Sequence, residues 1–162
     1  MLTQLELKEK LHYDQDTGIF TWLINRTKNT KAGDKAGYLM PDGYVRISFN
    51  GIKYKSHRLA WLYIYGLWPK DMIDHINGNP SDNRIKNLRE ATGYENQHNT
   101  KKPKTNKSGV KGISFHKASG KWQCSIRNNG IKIHLGYFDK FLDAEKVIIE
   151  ARTKYHNNFA KY

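Results

Sequence analysis

A basic stretch at residues 101–108 divides the chain into two parts. Its sequence, KKPKTNKS, contains four lysines and no large apolar side chain, which is typical of an exposed linker. Apolar residues with the spacing of strands and helices lie on both sides of this stretch. We therefore predict two small domains, residues 1–100 and residues 109–162, although a length of 162 residues alone would also allow one.

The net charge of +13 is concentrated in the second part of the chain. Residues 101–162 carry 14 Lys and Arg against 4 Asp and Glu, whereas residues 1–100 carry 14 against 11. A segment this basic attracts polyanions. The alternative interpretation is a charged surface that only keeps the protein soluble. An anionic membrane is a weaker candidate, because no apolar run approaches ~18 residues and no basic helix has a broad apolar face.

Cys124 is the only cysteine in the sequence. A chain with a single cysteine can form neither an internal disulfide nor a cysteine-based zinc ribbon. A bound metal would therefore have oxygen and imidazole ligands. This use of cysteine fits a reducing cytoplasm. The first six residues also lack the basic start and apolar run of a secretion signal, and we expect a cytoplasmic protein.

The first part of the chain contains alternating strand and helix signals. Thr3 and Glu6 have capping-box spacing, which predicts a short helix after Thr3. Asn50-Gly51 is typical of a hairpin turn, and Gly66 of a helix end. The remaining elements predicted here are strands at 18–22, 37–39, 44–49 and 52–55, and a helix over 57–65.

The rest of the pattern predicts an α+β fold. A capping box at Thr92 and Glu95 begins a helix that contains Asn96 and Asn99. Before it we expect a strand at 72–76, a polar loop at 77–84 and a short strand at 85–89. After the basic stretch we expect three strands and one helix, at 110–116, 121–128, 131–138 and 142–156. The whole is a β-rich N-terminal segment that leads into a ββα core, followed by a small three-stranded sheet with one helix.

Asp74 and His75 stand side by side at the end of the apolar strand 72–76. Neighbouring strand residues face opposite sides, so both can serve one site only where the strand ends or bulges. A neutral imidazole is suited to activating a water molecule. The Asp74 carboxylate, together with an amide oxygen such as that of Asn96, suits a hard divalent cation such as Mg²⁺ or Mn²⁺. These groups meet the requirements of phosphodiester hydrolysis.

Residues 57–99 resemble the HNH (ββα-metal) endonuclease family, particularly its branch in phage and mobile introns. The resemblance implies that His75 is the general base, that Asp74 and Asn96 are metal ligands, and that Asn87 orients the His75 loop. Asn96 stands where many members have His, so His98 and Asn99 are rival ligands. His98 lies on a different helix face from Asn96, whereas Asn99, three residues on, shares its face and is the better rival.

Three further residues near this motif have competing interpretations. His57 opens a predicted helix, and a hydrogen-bonded residue that supports the core is the favoured reading. Arg84 and Arg89 flank the motif and are candidates to bind DNA phosphates, with solvated surface arginines as an equal alternative.

Residues 109–160 resemble the Apetala-type (ethylene-response-factor) DNA-binding domain. The matching stretches are Gly109–Gly112, Lys121–Arg127, Leu135–Phe138, Asp143–Glu145 and Asn157–Ala160. In that family a three-stranded sheet lies in the major groove of DNA. The resemblance implies a DNA-reading face made of Lys111, His116, Lys121, Trp122, Arg127 and Lys132. Lys111 replaces the Arg usual in plant members, so no base preference is carried over.

These observations predict a homing-type, metal-dependent endonuclease that cuts double-stranded DNA and is targeted by its C-terminal domain. Its expected location is the cytoplasm of a bacterial or phage-infected cell, as a monomer or weak dimer. The main alternative is a DNA-binding regulator with an inactive HNH core. An RNA-binding structural protein is a further alternative, which the charge permits and the motif disfavours.

Overall fold

The computed structural model describes residues 1–99, 106–156 and 159. The chain forms two compact units, Met1–Ala91 and Thr92–Tyr162. Both units mix helices with antiparallel strands, so the predicted α+β class is confirmed.

The first unit contains two helices and three small antiparallel sheets. The sheets have the strand orders β1-β2-β3, β4-β5-β6 and β7-β8. The elements are α1 (Gln4–Lys10), β1 (Leu11–Asp14), β2 (Ile19–Trp22), β3 (Lys35–Ala36), β4 (Tyr38–Leu39), β5 (Val45–Phe49), β6 (Ile52–Lys55), α2 (Ser56–Tyr65), β7 (Met72–His75) and β8 (Leu88–Ala91).

The core of the first unit joins α1, α2 and the N-terminal strands. The capping box predicted at Thr3 and Glu6 is present and starts α1. Leu7 on α1 and Leu59 on α2 are both fully buried, and α2 ends at Gly66 with φ of 77°, as predicted. Burial of these apolar side chains stabilises the packing of the helices on the sheets.

Two features of the first unit differ from the sequence-based prediction. Strand β1 was not predicted, because it follows α1 without a break and presents only Leu11 and Tyr13 as buried side chains. The strand predicted at 85–89 is instead a 3₁₀ turn over Ile85–Asn87 followed by β8. The turn forms because the amide of Asn87 donates to the carbonyl of Arg84 at 2.8 Å.

The second unit contains helix α3 (Gly93–His98), strands β9 (Ile113–His116), β10 (Lys121–Asn128) and β11 (Ile131–Phe138), and helix α4 (Phe141–His156). The strand order is β11-β10-β9. Ile113, Cys124, Ile126, Ala144 and Ile148 form the buried core between the sheet and α4. The predicted three strands and one helix are confirmed, and Cys124 is a small buried side chain, as expected.

The segment before β9 is folded against the start of the sheet. The hydroxyl oxygen of Ser108 lies 2.9 and 2.7 Å from the carbonyl oxygens of Val110 and Ile113, within hydrogen-bonding distance of both. The predicted basic stretch is therefore partly ordered at residues 106–108, whereas residues 101–105 lie outside the described residues, as does most of the predicted match at 157–160.

Within the described ranges, neither the length nor the hydropathy of any helix would allow it to cross a lipid bilayer.

Candidate active site

Asp74 and His75 end strand β7 and are both buried, with 4% and 5% exposure. In the hairpin with β8, Asp74 lies opposite Arg89 and His75 lies opposite Leu88. The chain turns at once, because the amide of Gly78 donates to the carbonyl of His75 at 2.7 Å. The pair therefore occupies a strand end, the location that the sequence required.

Asn87 closes the loop that connects His75 to β8. Its side-chain oxygen accepts from the amide of Asn77 at 3.0 Å, and its side-chain nitrogen donates to the carbonyl of Asp82 at 2.8 Å. Its own carbonyl accepts from the amide of Ile76 at 2.9 Å. These bonds tie the start and the middle of the loop to one buried residue, which fits the loop-orienting role expected of Asn87.

Asn83 contacts His75 directly, although the sequence predicted no role for it. Its side-chain oxygen lies 3.2 Å from Nε2 of His75, and Asn83 is 2% exposed. Its carbonyl accepts from the hydroxyl of Tyr13 at 2.6 Å. No pattern in the sequence distinguishes Asn83 from Asn77 or Asn79 in the same polar loop, so its role emerges only from the tertiary structure.

The two arginines proposed to hold phosphates both pair with carboxylates. Arg89 donates through Nε and Nη2 to Oδ2 of Asp74, at 2.8 and 2.7 Å, and the pair is largely buried. Arg84 donates through Nε to Oδ1 of Asp82 at 2.7 Å. Hydrogen bonding to the Arg84 side chain lowers the pKa of Asp82 to about 2. Arg89 thus positions the Asp74 carboxylate, and Arg84 stiffens the loop beside it.

Three rings, those of His57, His75 and Tyr44, pack together beside this pair. The rings of His57 and His75 lie 4.9 Å apart at 88°, and Tyr44 is 5.3 Å from His57 and 5.9 Å from His75. Nζ of Lys55 lies 4.2 Å from the centre of the Tyr44 ring. The structure therefore places the ammonium group of Lys55, on β6, near the two histidines. No sequence pattern predicted this position.

Burial sets the protonation of both histidines. It lowers the pKa of His57 to about 3, with a further contribution from the charge of His75. Burial also lowers the pKa of His75, against an opposing contribution from the Asn83 hydrogen bond. A lowered pKa keeps His75 neutral near pH 7, the form that can accept a proton. His57 is a core residue, as expected, but its Nδ1 lacks a hydrogen-bond partner in the described part of the chain.

Asn96 and its rival Asn99 belong to the second unit, whereas Asp74, His75 and Asn87 belong to the first. Asn96 is half-buried on α3, and Asn99 is buried one residue beyond the helix end. The side chain of His98 is outside the described residues. Among the side chains described, no group of three or more His, Cys, Asp or Glu could hold a metal ion. The expected ligand pair, the carboxylate of Asp74 and the amide of Asn96, is not such a group, because it has only two members and one of them is an asparagine.

The sheet of the second unit presents its cationic residues on the side opposite α4. Lys121 lies opposite His116, and Arg127 lies opposite Lys132, in the register of the three strands. Trp122 alternates with Lys121 and packs on the α4 side, 5.0 Å from the ring of Phe141. Trp122 is thus not on the face that carries the cations, because successive strand residues point to opposite sides. Lys111 lies outside the strands, and its carbonyl accepts from Arg152.

Comparison with known proteins identifies an HNH endonuclease domain within the chain. A family model described as HNH endonuclease matches residues 54–98, which include Asp74, His75, Asn83 and Asn87. Protein 3.8 of Escherichia phage T7 is 36% identical over 109 residues, 67% of this chain and 89% of that protein. Residues 54–98 are therefore an HNH endonuclease domain, and the chain is related to Protein 3.8.

A second relative is itself named as an HNH endonuclease. The uncharacterized HNH endonuclease L560 of Acanthamoeba polyphaga mimivirus is 38% identical over 96 residues, which are 58% of this chain and 48% of that protein. The chain thus spans about half the length of this HNH relative. None of these matches identifies the second unit as an Apetala-type domain. No solved structure matches the chain significantly.

Proposed function

We propose that the chain is a homing-type, metal-dependent endonuclease that hydrolyses phosphodiester bonds in double-stranded DNA. One observation carries the proposal above all: a buried carboxylate and a buried imidazole stand side by side at the end of β7. The carboxylate of Asp74 is fixed by Arg89, and the ring of His75 is held by Asn83. Both residues lie within the part of the chain that the HNH endonuclease model matches.

His75 is the general base of the proposed reaction. Its neutral ring accepts a proton from the attacking water, whose oxygen then forms the new bond to phosphorus while the bond to the leaving sugar oxygen breaks. The leaving oxygen takes up a proton from solvent. Burial of His75 supports this role, because it lowers the pKa of the ring and leaves the base in its reactive form.

Asp74 and Asn96 are the proposed ligands of one Mg²⁺ or Mn²⁺ ion, with Asn99 as the rival for the second position. One carboxylate oxygen and one amide oxygen suit a hard cation that keeps several of its waters. The pairing of Asp74 with Arg89 fits this use, since it holds the buried carboxylate in one orientation. A bound cation would supply Lewis-acid stabilisation of the leaving oxygen.

Lys55 is the proposed phosphate-binding cation beside the base. Both arginines expected in this role pair with carboxylates, which offset much of their charge. Lys55 is exposed, lies over the Tyr44 ring, and is close enough to lower the pKa values of His57 and His75. A cation aimed at a phosphate stabilises the charge that grows on its oxygens during attack.

The second unit is the proposed DNA-targeting domain. Its support is the dense positive charge of residues 101–162 and the cationic face formed by Arg127, Lys132 and their neighbours. We propose that this face contacts double-stranded DNA, as the resemblance to Apetala-type domains suggests. A monomer has one active site and is expected to nick one strand.

The test is cleavage of supercoiled plasmid by the full chain with Mg²⁺, with EDTA, and after His75→Ala. We expect nicking that requires the metal and falls by ~10²-fold or more in the variant, the usual scale for a general base. His12→Ala changes an exposed histidine of β1 and is the matched control. Binding of DNA by the wild-type chain without cleavage under any metal condition would favour the regulator alternative instead.

Lys55→Met should slow cleavage by ~10-fold or more, because one charged contact to the transition state is lost. Lys53→Met alters an exposed lysine two residues earlier on β6 and should have little effect. Single-turnover cleavage at saturating DNA measures both variants. Equal rates for the two would remove Lys55 from the site.

A further inference from the structure

We propose that Asn83 fixes the tautomer of His75, and that the β1–β2 hairpin holds Asn83 in place through Tyr13. The inference rests on the proposed function, in which His75 is the general base. It assigns roles to a loop residue that the motif comparison leaves unassigned and to a hairpin that lies before the matched residues 54–98.

The orientation of the Asn83 amide follows from its second hydrogen bond. Its Nδ2 donates to the carbonyl of Ser81 at 3.3 Å, so the amide oxygen is the atom that faces His75. An amide oxygen can only accept a hydrogen bond. Nε2 of His75 must therefore carry a hydrogen, and Nδ1 of the neutral ring carries the lone pair.

This tautomer determines which nitrogen can act as the base. A neutral imidazole has one nitrogen with a hydrogen and one with a lone pair, so Nδ1 takes the proton from water. When the ring becomes protonated, the Nε2 hydrogen still points at the Asn83 oxygen, and that bond strengthens because the donor is now charged. Asn83 thus acts through His75 and is a positioning residue.

The backbone of Asn83 is held by the N-terminal hairpin. The Tyr13 hydroxyl of β1 donates to the Asn83 carbonyl at 2.6 Å and is buried there. Burial raises the pKa of this hydroxyl far above its ordinary value, so it stays a donor. Gly18 approaches from the turn of the same hairpin. A Cβ there would overlap the carbonyl carbon of Asn83 and the amide nitrogen of Arg84.

Two substitutions of Asn83 test the inference. Asn83→Leu keeps the size of the side chain and removes the acceptor, so it should lower kcat by ~10- to 10²-fold, the scale of a misplaced catalytic group. The KM for DNA should change little, because Asn83 is buried. Asn83→Asp restores an acceptor of the same length and should cleave faster than Asn83→Leu. A kcat for Asn83→Leu equal to that of the wild type would overturn the inference.

The tautomer itself can be observed in the full chain without activity. ¹⁵N NMR of the His75 ring at about pH 8, where an ordinary histidine is neutral, should show the hydrogen on Nε2 in the wild type. Asn83→Leu should shift the ring to a mixture of tautomers. A wild-type ring with its hydrogen on Nδ1 contradicts the proposal. If the expected tautomer is present but the wild type cuts no DNA, the proposed function fails and the positioning contact stands.

Tyr13→Phe tests the hairpin contact and leaves the Asn83 side chain intact. Loss of one neutral hydrogen bond should slow cleavage by ~2- to 10-fold. The control is Tyr63→Phe, since the centre of the Tyr63 ring lies 5.7 Å from that of the Tyr13 ring. Equal kcat values for Tyr13→Phe and Tyr63→Phe would show that the hairpin does not position Asn83. Tyr13→Phe also provides the decisive rate comparison should Asn83→Leu fail to fold.

Discussion

His57 on α2 has an unusual environment for a titratable side chain. It is 3% exposed, packs against His75 and Tyr44, and its Nδ1 has no hydrogen-bond partner within the described ranges. An unsatisfied buried polar atom costs ~1–3 kcal/mol. Protonation would add a buried charge beside His75, and the pKa of about 3 reflects this penalty. The ring is therefore neutral near pH 7.

The stability of the first unit should depend on pH through His57. Above its ordinary pKa of 6.5 the ring is neutral in the folded and unfolded chains and contributes no pH dependence. Below pH 6.5, His57 binds a proton in the unfolded chain, whereas in the folded chain it stays neutral until the pH falls to about 3. The free energy of unfolding should therefore fall with falling pH in this window, by up to ~1.4 kcal/mol per pH unit.

Urea denaturation at several pH values between 6.5 and 3 measures this effect. His57→Gln should show a shallower decline than the wild type, because one proton fewer is bound on unfolding. His12→Gln removes an exposed histidine from the same unit and serves as the control. An unchanged slope for His57→Gln would contradict the explanation.

Single residues of the site were predictable where the relevant contacts are local. Asp74, His75 and Asn87 lie on one hairpin and its loop, so their spacing in sequence carries the signal. Asn83 and Lys55 depend on the approach of other strands, which no local pattern encodes. Trp122 was placed on the cationic face through the family resemblance alone. Strand alternation already separates it from Lys121.

Among the elements, the β1–β2 hairpin has the most direct influence on the site. Its turn brings Gly18, with φ of 73°, against the backbone of Asn83 and Arg84. The sequence predicted β2 but not β1, and it gave no indication that this hairpin touches the loop that carries Asn83. Such long-range contacts are set by packing of the whole unit, whereas helix caps such as Thr3 are encoded within a few residues.

Gly18→Ala should destabilise the chain more than Gly33→Ala. Both glycines have positive φ, 73° and 93°, so both substitutions incur the ~1–2 kcal/mol cost of a left-handed residue. Only Gly18 also has backbone atoms within 3 Å of the added Cβ, and nothing lies within 4 Å at Gly33. Overpacking should add ~1–3 kcal/mol at Gly18.

Thermal or urea unfolding of the two alanine variants measures the difference in stability, and plasmid nicking measures its effect on the site. Gly18→Ala is also expected to slow cleavage, because it displaces the loop that carries Asn83. Equal stability and equal cleavage rates for both variants would show that the close approach of Gly18 does not constrain the loop.

In the molecule as a whole, the proposed general base and most of the positive charge lie in different parts of the chain. Asp74, His75 and Asn83 lie in Met1–Ala91, whereas most of the net charge lies beyond residue 100. On the sheet of the second unit, Lys121 forms an ion pair with Asp139 at 3.2 Å. The carboxylate offsets part of the lysine charge and so weakens its attraction for a phosphate. Arg127 and Lys132, which are both exposed and opposite each other on β10 and β11, are the stronger candidates for phosphate contacts.

Substitution of these two residues should reduce the salt dependence of DNA binding by the full chain. Each phosphate contact adds about 0.9 to the slope of log affinity against log salt, so Arg127→Gln with Lys132→Gln should make that slope shallower by ~2. The control is Lys28→Gln with Lys31→Gln, which removes the same charge from exposed sites of the first unit. Binding is measured between about 50 and 200 mM salt. Catalysis at saturating DNA should be unaffected by either pair, because Asp74 and His75 are untouched. A slope reduced only by the control pair would move the main DNA contact from the C-terminal sheet to the first unit.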